Sequence, residues 1–269
     1  MFQYKAIAFD LDDTLLRDDL TISDYTIQTL RSFAAQGVYI LPASGRAKLS
    51  MKPFVDQMSC ASMYISCNGA ELWDGRTHAL LRHSYFPAET GKAITAFGKK
   101  YHAYTQTYEG ECFYYNEESL WAKRYAKSSM LKGVCVGDLE IFIREPRNKI
   151  LMMDTPEKIA VMLADAQAVF KGRASVTCSK PYFLEFNPPE ATKGRALIAA
   201  ADLLCIQPED FIAFGDSLND LSMLRAAGCG ILMENGREDL KPFAGGICAT
   251  NQQDGVARYL NLLRKEEKL

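Results

Sequence analysis

Histidine is scarce in this chain: the 269 residues contain three, His78, His83 and His102. A mechanism that needs a histidine base in the second half of the sequence is therefore excluded. Cysteine is more plentiful, at eight, but no two stand as C-x-x-C, so neither a zinc ribbon nor a thioredoxin-type redox motif is present. The cysteines are scattered singly among apolar neighbours. That pattern predicts reduced, buried thiols and a cytoplasmic protein. No run approaches the ~20 apolar residues of a membrane span. The opening stretch MFQYKAIAFDLD has neither the apolar segment nor the small-residue cleavage site of a signal peptide. Charge of one sign is also missing. Lys and Arg total 31 against 33 Asp and Glu, a formal net charge of -2, which argues against a nucleic-acid partner. Hydrophobic residues at 48% and charged residues at 24% are those of a soluble globular chain, and the length allows one large domain or two small ones.

The chain begins with a short apolar run, Ala6-Ile7-Ala8-Phe9, that stops at the acidic cluster Asp10-Leu11-Asp12-Asp13-Thr14. An apolar run bounded by turn residues reads as a buried parallel strand. A helix follows, with Ser23 as its N-cap, Ile27, Leu30 and Phe33 on one face and Gly37 as its stop. Val38 to Leu41 reads as a second strand, ending at Ser44-Gly45-Arg46. A helix over Leu49 to Met58 and a third strand over Met63 to Ser66, followed by Asn68, complete a β-α-β-α-β order. That order predicts a parallel sheet covered by helices. The last third repeats it: a helix over Lys193 to Leu204, a strand at Phe211 to Phe214 ending at Gly215-Asp216, a helix over Leu218 to Ala227, a strand at Gly230 to Met233 and a helix over Val256 to Leu263.

The middle differs. Aromatics gather between Tyr101 and Tyr125. Short strands expected at Glu140 to Ile143, Ile150 to Met153 and Phe183 to Phe186 surround a helix expected over Pro156 to Phe170. This reads as an α+β module over residues 85–186, inserted into a core made of residues 1–84 and 187–269. The aromatics read first as strand and core packing and second as the lining of a substrate pocket. Lys123, Arg124 and Lys127 read as a solvated helix face.

Functional groups in open α/β sheets collect beyond the carboxyl ends of the strands. Here those ends carry Asp10 and Asp12, Ser44, Asn68, and Asp216 with Asn219 and Asp220. Lys193 opens a helix of the same domain. Close carboxylates favour a hard cation, and Mg²⁺ is the natural one. A lysine and a hydroxyl beside it form a cradle for a phosphoryl group. Asp10 is placed to attack phosphorus as a carboxylate nucleophile, with repulsion between the two anions offset by the cation and Lys193. Asp12, two residues on, is placed to protonate the leaving alkoxide and later to deprotonate a water.

The sequence resembles the haloacid dehalogenase superfamily of phosphohydrolases, in its Cof-type branch with the larger inserted cap. The four motifs are D-x-D-x-T at Asp10–Thr14, a hydroxyl after the second strand at Ser44, a lysine before a helix at Lys193, and G-D-x-x-N-D at Gly215–Asp220. Their order and spacing fit over nearly the whole chain. The resemblance implies an α/β fold: a Rossmann-like doubly wound parallel-sheet core with an inserted α+β cap domain. It implies Asp10 as nucleophile and metal ligand, and Asp12 as general acid and base with its backbone carbonyl on the metal. It makes Asp216 the other protein ligand, with Ser44, Gly45, Lys193 and Asn219 on the phosphoryl group. Asp220, Arg46 and Asn68 support the site. The implied cofactor is Mg²⁺ and the implied partner a small phosphorylated metabolite, such as a sugar phosphate or a phosphorylated flavin precursor.

Two other activities share these residues. A phosphomutase would return the phosphoryl group to a sugar, and a phosphate-ligand sensor would keep the fold without turnover. A serine esterase suggested by Gly215-Asp216-Ser217-Leu218 fails, because no histidine follows His102 to serve Ser217.

Overall fold

The computed structural model describes residues 2–110 and 112–266. In chain order the strands are β1 (Ala6–Phe9), β2 (Tyr39–Pro42), β3 (Met63–Ser66), β4 (Glu71–Asp74), β5 (Leu80–His83), β6 (Tyr104–Glu109), β7 (Cys112–Tyr115), β8 (Lys132–Cys135), β9 (Ile150–Met153), β10 (Ser175–Thr177), β11 (Phe183–Asn187), β12 (Phe211–Gly215), β13 (Cys229–Met233) and β14 (Gly246–Cys248). The helices are α1 (Asp24–Ala34), α2 (Lys48–Met58), α3 (Ala88–Lys100), α4 (Leu120–Ser129), α5 (Leu139–Phe142), α6 (Pro156–Val169), α7 (Lys193–Leu204), α8 (Leu221–Ala226) and α9 (Gly255–Glu266).

The first sheet is wholly parallel, in the order β14-β13-β12-β1-β2. Alternation along a strand sends successive side chains to opposite faces. Ile7 and Phe9 therefore join Ile40, Ile212 and Phe214 under α1, α2 and α9, where Leu30, Phe33, Met51, Phe54 and Leu260 complete one core. Ala6 and Ala8 face the other way, with Leu41, Phe211 and Ala213, and pack on Leu197, Ala200 and Ala201 of α7 and Met223 and Leu224 of α8. Both faces of the sheet are covered, as the uninterrupted apolar runs require. Ser23 caps α1 by accepting from the Thr26 amide. Gly37, at a φ of +86°, takes the left-handed turn that ends this helix region.

The second sheet lies in the middle of the chain, in the order β10-β11-β9-β6-β7-β8, antiparallel except where β7 meets β8. Ile150, Met152, Leu184 and Phe186 point to α3 and α6. Leu151 and Met153 point the opposite way, into a cluster with Tyr104, Tyr108, Phe113, Tyr115 and Tyr125 that Ala47 and Leu49 of the core also touch. The second face of this sheet is thus turned toward the carboxyl ends of the first.

Several elements depart from the sequence reading. Glu140 to Ile143 is not a strand. Residues Leu139–Phe142 form a helical turn, with the Asp138 side chain accepting from the Glu140 amide. The period-2 spacing of Leu139, Ile141 and Ile143 imitates a strand, but the aspartate cap decides. The strand at Met63–Ser66 touches the parallel sheet through one parallel bridge, Ala43 to Ile65, and pairs antiparallel with β4 in a sheet of three, β3-β4-β5. The cysteines are all free, but only Cys67 and Cys248 are buried, and Cys135 and Cys205 are exposed. Cys135 ends the edge strand β8 and Cys205 is the C-cap of α7, and both positions lie at the surface. No helix among the described residues is long and apolar enough to cross a membrane.

Candidate active site

Strand ends place the side chains. Asp10 follows β1, with its amide donating to the Phe214 carbonyl at 3.0 Å. Ser44 follows β2, its amide held by the Ile65 carbonyl at 2.9 Å. Asp216 follows β12, and Lys193 is the first residue of α7, which Thr192 caps through the Arg195 amide. These parallel strand ends converge on one rim.

Lys193 sits fully buried with its Nζ 2.7 Å from Asp10 Oδ1 and 2.6 Å from Asp220 Oδ1. The other oxygen of Asp220 accepts from the amides of Asp216 and Ser217, at 2.9 and 3.0 Å. Asp220 is therefore saturated by donors. Asp216 Oδ1 accepts from the Thr14 hydroxyl at 2.7 Å. Asp12 turns away from this group to Arg46, whose Nη2 and Nε meet its two oxygens at 2.7 and 2.8 Å. Such a paired fork is among the strongest neutralising contacts available to a carboxylate. Arg46 also donates to the Ser50 hydroxyl and to the Ser128 carbonyl of α4.

Electrostatics follows from that placement. Burial pushes the Asp10 carboxyl well above its usual range, against the pull of Lys193. Burial, with the Asp220 charge beside it, pushes Asp216 up to about 8. Burial also opposes the charge on Asp12, but the hydrogen bonds and charge of Arg46 outweigh it and hold the carboxyl below its usual value. Lys193 loses solvation as well, yet Asp10 and Asp220 raise its pKa further. Two reluctant carboxylates beside each other form a place where a cation is favoured. Asp10, Asp216 and Asp220 each bring an oxygen within 4.8 Å of the others. Asp10 Oδ1 accepts no well-directed hydrogen bond although it is buried. An all-oxygen set with spare lone pairs on Asp10 and Asp216 fits a hard divalent cation.

The site forms the floor of a cavity of about 380 Å³. Its floor includes Asp10, Asp12, Ser44, Gly45, Asp216 and Asn219, and its roof is Trp121, Tyr125, Leu151, Met153 and Tyr182 of the second sheet and α4.

The chain was compared with known proteins. The family model of haloacid dehalogenase-like hydrolases matches residues 7–260. This chain belongs to the haloacid dehalogenase-like hydrolases. It is 31% identical over 262 residues to the 5-amino-6-(5-phospho-D-ribitylamino)uracil phosphatase YitU of Bacillus subtilis (strain 168), covering 94% of this chain and 95% of that one. Its fold is similar to that of a haloacid dehalogenase-like hydrolase from Bacteroides thetaiotaomicron, with a TM-score of 0.86 and 27% identity over 97% of this chain and 99% of that chain. It is also similar to the HAD subclass IIB sugar phosphatase BT4131, with a TM-score of 0.84 and 25% identity over 96% and 98%. As an enzyme this haloacid dehalogenase-like hydrolase is a phosphatase of the Cof-type branch.

In this phosphatase the residues singled out by sequence meet at one place. Asp10, Asp216, Asp220 and Lys193 form a buried quartet. Asp12 with Arg46 stands beside it, toward the cavity. Asn219 and Asn68 meet each other, Asn219 Nδ2 donating to Asn68 Oδ1 at 3.0 Å. The aromatics between Tyr101 and Tyr125 pack mostly as core. Tyr125 and Trp121 also reach the cavity, as does Arg124 of the otherwise exposed basic cluster. Two residues, Lys149 and Glu185, were missed, and Thr14, read only as the last residue of the D-x-D-x-T motif, had no role assigned. Thr14 holds Asp216. Lys149 and Glu185, both with side chains 3% exposed, reach the site from the second sheet. Their signal lay in the pattern: Lys149 precedes the apolar run 150–153 and Glu185 interrupts another, and a charge inside a buried strand needs a partner.

Proposed function

We propose that the protein is a Mg²⁺-dependent phosphomonoesterase that works on a small phosphorylated metabolite through an aspartyl-phosphate at Asp10. The observation that carries this reading is Lys193, buried between Asp10 and Asp220 at 2.7 and 2.6 Å, with Asp10 on the floor of the cavity. A fully buried ammonium is costly unless anions hold it. Here it also supplies the positive charge that an incoming phosphoryl group needs.

Asp10 Oδ attacks phosphorus, the bond from phosphorus to the ester oxygen breaks, and the leaving alkoxide takes that electron pair and a proton from Asp12. A water then attacks the same phosphorus, gives its proton to Asp12 and releases inorganic phosphate, restoring the Asp10 carboxylate. Ser44, the Gly45 amide, Lys193 and Asn219 hold the phosphoryl oxygens. The cation would be held by Asp10, the Asp12 carbonyl and Asp216, and would neutralise charge on the phosphoryl oxygens. Residues 85–186 act as the cap, with residues 1–84 and 187–269 as the catalytic core, and the cap lies over the leaving group. The polar and aromatic roof suits a sugar or heterocyclic phosphate, in keeping with what YitU is named for and what BT4131 is named for. A screen of sugar phosphates, 5-amino-6-(5-phospho-D-ribitylamino)uracil and pyridoxal phosphate for Mg²⁺-dependent phosphate release tests this. Release from at least one supports it; release from none, with wild-type protein folded, sinks it. An isomeric product without free phosphate would instead mean a mutase.

A further inference from the structure

Strand alternation puts Lys149, Leu151 and Met153 on the side of the second sheet that faces the core, with Glu185 on the neighbouring strand β11. Glu185 pairs with Leu151, which makes Lys149 and Glu185 diagonal neighbours on that face. They form a buried ion pair. Each partner then grips the core. Lys149 Nζ donates to the Gly45 carbonyl at 2.8 Å. Glu185 Oε2 accepts from Asn68 Nδ2 at 3.0 Å.

Both grips lie one contact away from groups that the phosphatase reading assigns to the phosphoryl group. The carbonyl that Lys149 holds belongs to the Gly45–Arg46 peptide. The amide of that same peptide donates to Ser44 Oγ at 3.1 Å. Fixing the carbonyl fixes the amide, and an Oγ that already accepts leaves its own proton free to donate outward. Asn68 lies so close that a Cβ on Gly45 would stand 2.9 Å from Asn68 Oδ1, so a side chain there would push the Asn68 amide aside. That Oδ1 accepts from Asn219 Nδ2 at 3.0 Å, and Asn219 Oδ1 accepts from the Ser217 hydroxyl at 2.6 Å. Asn68 also donates its amide to the Ser44 carbonyl at 3.0 Å.

We infer that Lys149 and Glu185 are positioning residues that shape the phosphate pocket from the cap side, Lys149 through the Gly45–Arg46 peptide and Glu185 through Asn68 and Asn219. This rests on the phosphatase reading, because it assigns Ser44, Gly45 and Asn219 to phosphate. Both side chains also line the cavity, but each is already engaged with a core group, so the inferred action on phosphate runs through those groups. Loss of the pair therefore weakens every phosphate ligand alike, whatever the leaving group, whereas a residue that touched the leaving group would change the choice between substrates. A buried ion pair contributes little net stability but fixes one arrangement, which suits a device that holds two domains in register at the reacting centre.

The test compares wild type with Lys149→Met and with the double variant Lys149→Met/Glu185→Leu. The single variant leaves a carboxylate buried without its cation, which costs stability; the double variant removes both charges and keeps the question open to measurement. Two readings are taken: calorimetric binding of inorganic phosphate with Mg²⁺, and kcat/KM on two monoesters with different leaving groups. The folded variant is expected to bind phosphate more weakly by roughly 10- to 100-fold, with kcat/KM falling by one common factor for both esters. Wild-type phosphate affinity in the double variant overturns the inference, as does a loss confined to one ester. Wild type that binds phosphate but hydrolyses no ester would overturn the phosphatase reading while leaving the phosphate titration to decide on the pair.

Discussion

Arg46 clamps Asp12 with two hydrogen bonds of 2.7 and 2.8 Å, and that clamp sets the charge of the group proposed as acid and base. Burial alone would raise the Asp12 pKa; Arg46 reverses the sign. The folded pKa is therefore depressed, and Asp12 is ionised from low pH upward. That is the form required to take a proton from the attacking water, whereas the proton given to the leaving alkoxide must first be taken up by Asp12 from solvent or from a substrate phosphate monoanion. Replacing Arg46 by leucine leaves burial opposed only by the charges of Lys180 and Lys193 and raises the pKa. The acid limb of the kcat–pH profile should then move to higher pH. A limb that stays in place in Arg46→Leu would remove Asp12 from the base role.

Asp10→Asn should abolish turnover and spare the fold. An amide of the same shape cannot form the acyl phosphate, so kcat should fall by roughly 10⁴-fold or more. The buried carboxyl is held uncharged-leaning by desolvation, and Lys193 keeps Asp220 as its partner at 2.6 Å. Thermal unfolding should accordingly move little, or upward. Activity like that of wild type would contradict the proposed nucleophile.

The core was legible because its signals are local. Apolar runs of four residues ended by Asp10, Ser44 and Asp216 gave three of the five parallel strands and the rim that they share. Ser23 and Gly37 marked one helix, and Lys193 to Leu204 was read with the boundaries that α7 has. The rest was less legible, for two reasons. Strand β5 of the three-stranded sheet is exposed along all four residues, so no apolar alternation announces it, and the helical turn at Leu139–Phe142 has strand-like spacing. The pairing of Lys149 with Glu185 joins strands 36 positions apart in sequence, and Lys149 with Gly45 spans 104. Only the register of β9 on β11 brings them together, and register is a tertiary property.

Lys193→Met should cost stability as well as activity. The ammonium is the common partner of two buried carboxylates. Without it Asp10 loses its cation, and Asp220 keeps only the backbone amides on its other oxygen. Breaking a buried pair by removing one partner costs about 3–5 kcal/mol, to be read from urea denaturation of the metal-free protein. A loss under about 1 kcal/mol would mean that Lys193 does not depend on this pair of carboxylates for its place.

Removing the divalent cation should destabilise the fold, by an amount that depends on pH in a fixed direction. Burial, with Asp220 adjacent, lifts Asp216 from 3.8 to about 8. A carboxyl with a raised folded pKa favours folding when protonated, and that contribution is lost as pH climbs through the folded value. Metal-free protein should therefore weaken between about pH 4 and about pH 8, as far as this group governs it. The cation binds the ionised form and competes with the proton for it. Its stabilisation should grow over the same window and level off above about pH 8. A cation at ~100 times its Kd contributes about 2.7 kcal/mol, which for a chain of this size is a shift of several degrees. Thermal unfolding in Mg²⁺ and in chelator, at a series of pH values, reads both quantities. A Mg²⁺ increment that is absent, or that shrinks as pH rises, would take the cation away from Asp10 and Asp216.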